Sequence, residues 1–308
     1  MERIIPHVTN ETARLRAVVL GLPDSLGPIP TLQETYDAKS YEAVSRGVFP
    51  SESDVRHEMQ CVLEVLERYD VRTLRPAPLT DYNQVFARDV AFTIDDTLFI
   101  SNLIPDRERE TEAFASSIFP LIDPAHIEAL PEAVHTEGGD VLLYDDILFV
   151  GAYFGADYSS FKTARTNRYA IDFFRERFPH KRIVPIELRK HDHDPAQSVL
   201  HLDCAFQPAS RGRALIYREG FLHQRDVALV EEIFGQDNLF GVTPEEAYYM
   251  STNVVSLSPD ALISDRHFTR LNAHLREAWG MTVEEVPYQE ISKMGGLLRC
   301  STMPLIRE

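Results

Sequence analysis

With 308 residues, 44% of them hydrophobic, the chain can bury a substantial core as one large domain or two. A formal charge of −17, from 31 basic against 48 acidic residues, argues against binding to a phosphate backbone and would attract a cationic small molecule, although solubility or salt adaptation is the readier explanation of the charge. There is no apolar run of the roughly 18 residues a membrane span needs, and Cys61, Cys204 and Cys300 are too few and too scattered for a disulfide framework or a structural zinc site.

In chain order, Met1 to Arg14 mixes acids, bases and a proline without an apolar signal core, and reads as a mature cytoplasmic start. Arg16 to Gly21 is a first strand, ending at Pro23. Four apolar hairpins follow. Val90–Ile94 turns through Asp95-Asp96 into Thr97–Ser101, and Val141–Tyr144 turns through Asp145-Asp146 into Ile147–Val150. Cys204–Gln207 turns through Ser210-Arg211-Gly212 into Ala214–Tyr217, and Asn253–Leu257 turns through Ser258-Pro259-Asp260 into Ala261–Ser264. Each pairs apolar, β-branched runs across turn-forming residues.

Helical patterns lie between them. Ser53 is positioned to cap a helix carrying Val55, Met59, Val62, Leu63 and Leu66 on one face. Further helices are expected over Glu108–Ile118, Tyr169–Phe178, Asp226–Phe234 with Gly235 as its cap, and Arg266–Trp279 before Gly280. Short strands such as Arg182–Ile186 and Thr282–Val286 come after several of these. The chain thus reads as five copies of hairpin, helix and strand, with starts roughly 50 to 75 residues apart. That is an α/β chain whose units are either blades about an axis or parts of an ordinary α+β domain. If rotation relates the units, the residues just ahead of each hairpin meet at one end of the axis.

Those residues are the chemically rich ones. Asp89 precedes the second unit's hairpin, Glu137-Gly138-Gly139-Asp140 the third, and His201-Leu202-Asp203 the fourth. Read as a strand, His201 and Asp203 would share one face. His201 suits proton transfer near neutral pH, and Asp203 suits a charge-assisted bond to a guanidinium. The Gly-Gly-Asp run is also ordinary turn chemistry, and no helix follows it as a dinucleotide fingerprint requires. Cys300 sits behind Gly295-Gly296 and ahead of Ser301-Thr302, in a loop whose backbone can approach a ligand. To act as a nucleophile it must be a thiolate. Cys61 reads as helix core, and Cys204 as a strand residue more suited to packing than to the pocket. His191-Asp192-His193-Asp194 lacks the further ligands a metal would need, so no metal is assigned.

Taken together, in this order and spacing, these segments resemble the guanidino-group-modifying superfamily from Arg16 to Cys300. This is the pentein family of arginine deiminases, dimethylarginine hydrolases and amidinotransferases. The resemblance implies a five-bladed α/β propeller in one catalytic domain, residues 1–308, acting in arginine metabolism with no cofactor. It implies Cys300 as nucleophile, His201 as proton donor and later base, Glu137 as its acidic partner, and Asp89 and Asp203 as the guanidinium clamp, with Asp140 beside them. The ending Arg299-Cys300-Ser301-Thr302-Met303-Pro304 is similar to that of arginine deiminases, as are Asn83, Arg107 with Arg109, and Arg165-Thr166-Asn167. By that likeness Arg109 and Arg165 would hold the substrate's α-carboxylate, and Asn83 is a further substrate-binding candidate. Two departures are visible: there is no room for the usual helical insertion, and Val90 stands where proline usually follows the aspartate. The expectation is a hydrolase acting on arginine or a close derivative. Amidino transfer to an amine such as glycine and non-catalytic guanidino binding are the alternatives. The expected partner is a small cationic guanidine, with neither nucleic acid nor membrane; a homo-oligomer is left open.

Overall fold

Asp95 and Asp145 both adopt φ 53°, the left-handed conformation that a two-residue hairpin turn demands and that Asp tolerates. The computed structural model describes residues 3–308; Met1 and Glu2, at the head of the stretch read as a cytoplasmic start, lie outside it. The strands are β1 (Leu15–Leu20), β2 (Arg72–Leu74), β3 (Ala91–Ile94), β4 (Thr97–Ile100), β5 (Ile127–Ala129), β6 (Val141–Tyr144), β7 (Ile147–Ala152) and β8 (Arg182–Glu187). They continue with β9 (Phe206–Ser210), β10 (Arg213–Ile216), β11 (Leu239–Gly241), β12 (Val255–Ser258), β13 (Ala261–Asp265), β14 (Thr282–Val286) and β15 (Thr302–Arg307).

They form five separate three-stranded sheets: β15-β1-β2, β3-β4-β5, β6-β7-β8, β9-β10-β11 and β12-β13-β14. All five share one pattern, an antiparallel pair whose second strand takes a parallel third. A parallel neighbour needs a crossover. The helices Glu52–Arg68, Arg109–Ser117, Arg168–Arg177, Gln224–Phe234 and Thr269–Glu277 supply it. The expected repeat is present as five small α/β units. The first unit is built differently from its reading: β1 finds its antiparallel partner in β15, from Leu15 opposite Arg307 to Leu20 opposite Thr302.

Two local expectations are corrected. Ser51, not Ser53, caps the Glu52–Arg68 helix and accepts from the Asp54 amide. Leu202–Cys204 is a single 3-10 turn with His201 at its head, so His201 and Asp203 are not on a strand.

The units share cores. Val62 and Leu66 of the long helix belong to the same apolar cluster as Phe206, Leu215, Leu257 and Leu262. Phe92 and Phe99 pack with Val141, Leu148 and Phe174, and Val19 with Leu98, Phe114 and Met303. Truncating one such residue, for example Leu66→Ala, would cost about 2–5 kcal/mol. Among the described residues no helix is long and apolar enough to cross a membrane.

What this architecture does for a site is seen just ahead of each hairpin. Asp89 lies in a short turn of helix, Ala87–Val90, before β3. Glu137 heads a 3-10 turn before β6, and His201 heads another before β9. Asn253 precedes β12, and Cys300 precedes β15. All five positions contribute to one buried cluster.

Candidate active site

Cys300 is buried, and its thiol lies 3.9 and 4.0 Å from the two carboxylate oxygens of Asp203. The Asn253 side chain cradles it from below. Its Nδ2 donates to Sγ at 3.3 Å, and its Oδ1 accepts from the amides of Arg299 (2.8 Å) and Cys300 (3.3 Å). The Arg88 amide donates to the Cys300 carbonyl at 3.0 Å, tying the Asp89 turn to the cysteine turn.

His201 is fully buried. Its Nε2 lies 2.8 Å from Glu137 Oε2, while Nδ1 faces Asp89 Oδ1 at 3.7 Å. Neither His201 Nδ1 nor Asp89 Oδ1 has a hydrogen-bond partner. A buried polar atom without a partner costs roughly 1–3 kcal/mol, so two such atoms facing one place suit a polar ligand. His201 reaches this position because residue 139 is glycine: a Cβ there would sit 2.6 Å from the imidazole Cγ.

The charges organise the cluster. Burial pushes the His201 imidazole down, but Asp89, Cys300, Glu137 and Asp140 outweigh it and hold the ring protonated well above its usual range. Burial pushes the Glu137 carboxyl up, and Arg165, His201 and Arg107 together pull it well below the usual carboxylate range. The Cys204 thiol, and after it His201, lower the Cys300 thiol against burial and the Asp203 and Asp89 charges. The Cys204 thiol itself is pushed up, first by its bond to Cys300 and then by burial. The Cys300 thiol is thus drawn down while the His201 imidazole beside it is drawn up.

Asp89 is gripped on one side only. Arg107 Nη1 donates to its Oδ2 at 2.6 Å, and the same guanidinium holds Glu110 at 2.7 and 2.9 Å. Asp203 is likewise held by one oxygen, with Arg299 Nη1 donating to Oδ2 at 2.8 Å. Arg299 continues to Glu11 at 3.0 and 3.3 Å. Asp89 and Asp203 each keep one oxygen outside these arginine bonds: Asp89 Oδ1 faces His201 Nδ1 at 3.7 Å, and Asp203 Oδ1 accepts from the Cys204 thiol at 3.4 Å.

The remaining expected residues are placed differently. Asp140 spends both oxygens on the scaffold, accepting from the Leu202 amide at 2.9 Å and the Thr166 hydroxyl at 2.6 Å; it positions the His201 turn instead of facing a ligand. Arg109 is exposed and stacks on Tyr82 at 5.0 Å; Arg107, two residues earlier, is the one inside. Arg165 is buried, but its guanidinium is committed to both Glu137 oxygens (2.8 and 2.9 Å) and to the carbonyls of Tyr36 (2.8 Å) and Lys162 (2.5 Å). Asn83 donates to the Tyr36 hydroxyl at 3.2 Å and lines a cavity of about 340 Å³ with Tyr82, Asp106 and Met294. Tyr36 roofs the cluster, its ring 5.7 and 5.8 Å from the Arg107 and Arg165 guanidinium carbons.

Arg107 was named beside Arg109 but passed over for it, and Glu110, Arg299, Glu11, Asn253 and Cys204 were not singled out for the site from sequence. Of these five only Arg299 carried a usable signal, its adjacency to Cys300. Among the described residues two groups offer three metal-ligating atoms within 4.8 Å of one another: Asp89, Glu137 and His201, and Asp203, Cys204 and Cys300. The His191–Asp194 stretch is not one of them.

No family model matches the sequence. YkgA of Bacillus subtilis, an uncharacterized protein, is 32% identical over 224 residues, 73% of this chain and 70% of YkgA. An arginine deiminase of Latilactobacillus sakei is 24% identical over 272 residues, 73% of this chain and 62% of the deiminase. Among solved structures, the product-bound N-terminal domain of ArgZ, an arginine dihydrolase of the cyanobacterial ornithine-ammonia cycle, superposes with TM-score 0.74 at 19% identity, covering 94% of this chain and 97% of that domain. SxtG, an amidinotransferase of saxitoxin biosynthesis in Microseira wollei, gives TM-score 0.71 at 15% identity, covering 98% and 97%. At such identities the likeness speaks to the fold, and the fold is the pentein one.

Proposed function

The chain belongs to the family of Bacillus subtilis YkgA within the guanidino-group-modifying superfamily, and we propose that it is a hydrolase of the guanidino group of arginine or a close derivative. The observation that carries this is the free oxygen on Asp89, facing His201 Nδ1 within the cluster that buries the Cys300 thiol. A planar cation bonded to the Asp89 and Asp203 oxygens outside the arginine bonds would present its central carbon to that thiol. It would also screen the thiolate from Asp203, which otherwise repels it at 3.9 Å.

The Cys300 thiolate attacks the guanidino carbon, and the C=N electron pair moves onto nitrogen. His201, charged and fixed by Glu137, gives its proton to the departing nitrogen, and ammonia or an amine leaves. The neutral imidazole then takes a proton from water as its oxygen adds to the amidino-thioether. Collapse re-forms the C=O bond, expels the thiolate and gives up the hydroxyl proton to solvent, yielding a ureido product. Residues 1–308 act as a single catalytic domain, and the five sheets stand as blades about one axis. Their identical pairing and the convergence of the five pre-hairpin turns support that arrangement.

Incubating the protein with labelled arginine, with and without glycine, tests the reading. Citrulline plus ammonia without glycine is the expected result; ornithine with carbon dioxide and ammonia would mean a second round of hydrolysis. Guanidinoacetate formed only with glycine would replace hydrolysis by transfer, and full turnover by Cys300→Ala would overturn the covalent mechanism altogether.

A further inference from the structure

Three arginines enter the core beneath the site: Arg88 from the turn ahead of β3, Arg299 from the turn ahead of β15, and Arg307 from the end of β15. All three are buried, with exposures of 4%, 1% and 2%. Arg299 is matched by Glu11 at 3.0 Å and Asp203 at 2.8 Å. Arg88 and Arg307 are not matched: among the described residues no carboxylate oxygen lies within 4.0 Å of a side-chain nitrogen of either. We infer that this cluster is a binding site for a small inorganic monoanion of the halide class, with Arg88 as its principal ligand.

The charge count calls for one. The four charges that act most strongly on Arg88 are those of Arg299, Glu11, Asp203 and Arg307. With Arg88 itself these make three cations against two anions. A monoanion balances the group, whereas a phosphate dianion would overshoot. An unmatched buried charge costs roughly several kcal/mol. A buried lysine or carboxyl group escapes that cost by neutralising, but a guanidinium holds its proton too firmly. Burial pushes Arg88 down to about 9 and Arg307 to about 10, which leaves both charged at neutral pH.

The hydrogen bonds supply a second, independent observation. Arg88 Nη2 and Arg307 Nε are buried N–H donors without an acceptor. Arg88 Nε makes one long bond, to the Arg299 carbonyl at 3.4 Å. Arg307 gives Nη1 to the carbonyls of Ala13 (2.7 Å) and Ser256 (2.9 Å) and leaves Nε over. Each buried donor left unpaired costs roughly 1–3 kcal/mol. The Arg88 side chain reaches this place because residue 138 is glycine: a Cβ there would sit 3.1 Å from its Cδ. A buried water could accept from these donors but would leave the excess charge standing. A halide answers both demands at once.

Crystals of the whole protein grown in sodium bromide, measured at the bromine absorption edge, give the direct test. An anomalous peak within hydrogen-bond reach of Arg88 Nη2 is expected. Density there without anomalous signal would be water and would overturn the inference, as would bromide on surface arginines alone, an adventitious ion only. Thermal unfolding at constant ionic strength, with chloride exchanged for gluconate, gives the reading in solution. Arg88→Met should bind halide at least about tenfold more weakly, so chloride should stabilise the wild type more than the variant. A salt effect of equal size in both counts against the site. Arg88→Lys, which keeps the charge and loses Nη2, serves if the methionine variant does not fold, and it too should bind more weakly. Glu11→Gln enlarges the positive excess and should bind halide more tightly than the wild type; weaker binding would contradict the charge balance. Because the readout is a bound halide, a failure here is distinct from a failure to find arginine turnover.

Discussion

Glu11 lies under the cysteine turn, and replacing it by glutamine isolates the charge that holds Arg299 and, through it, Asp203. Burial pushes the Glu11 carboxyl up, but Arg299, with Arg88 and Arg307 behind it, draws it down from 4.5 to about 2. The folded chain therefore binds fewer protons here than the unfolded one. The stabilisation is complete above pH 4.5 and is lost as pH falls to about 2. A shift of that size corresponds to roughly 3 kcal/mol at pH 7 and about 1.5 kcal/mol at pH 3. Glutamine keeps the volume and one acceptor, so the loss falls on the charge. It also leaves Arg88, Arg299 and Arg307 together without their shared anion; burial already pushes Arg88 down to about 9 and Arg307 to about 10. Urea unfolding followed by circular dichroism at pH 7 and pH 3, either side of the isoelectric point near 5.1, gives the comparison. Glu11→Gln should be less stable than wild type by roughly 3 kcal/mol at pH 7, with the gap about halved at pH 3. An equal gap at both pH values, or one under about 1 kcal/mol at pH 7, would refute the electrostatic reasoning.

Gly139→Ala would press a methyl group into the His201 ring; kcat should fall about a hundredfold with little change in KM, and an unchanged kcat would contradict the packing described. Arg107→Ala should cost about 3–5 kcal/mol by stranding Asp89 and Glu110, whereas Arg109→Ala should leave the unfolding midpoint where it is; equal effects would reverse the assignment of the inner arginine. Cys300 should be alkylated by iodoacetamide at lower pH than Cys61, whose thiol is raised by burial and then by Glu64 and Glu58. In His201→Asn that advantage should shrink, and coincident pH profiles for the two cysteines in the wild type would argue against a thiolate–imidazolium pair.

The hairpins could be read from the chain because their information is local. Asp95-Asp96 and Asp145-Asp146 supply the left-handed turn residue, and apolar runs of matching length flank them. The pairing of β1 with β15 joins the two ends of the chain, so no turn residue announces it. The same division separates what was and was not legible in the site. His201, Glu137, Asp89 and Asp203 stand ahead of hairpins, and a repeat brings such positions together whatever the residues between them; Cys300, ahead of β15, was read from its glycine-flanked loop instead. Choosing between Arg107 and Arg109 required knowing which way the turn from Pro105 enters the Arg109–Ser117 helix, and a spacing of two does not encode that. Cys204 packs in the apolar core as expected, but from a 3-10 turn and not a strand, and that turn also brings its sulfur near Asp203 and Cys300. Glu11 and Arg299 complete the argument. Two ionisable residues 288 positions apart are each unremarkable alone. They meet only because the closing strand carries Cys300 back over the N-terminal segment, so the contact that closes the fold also sets the charge under Cys300.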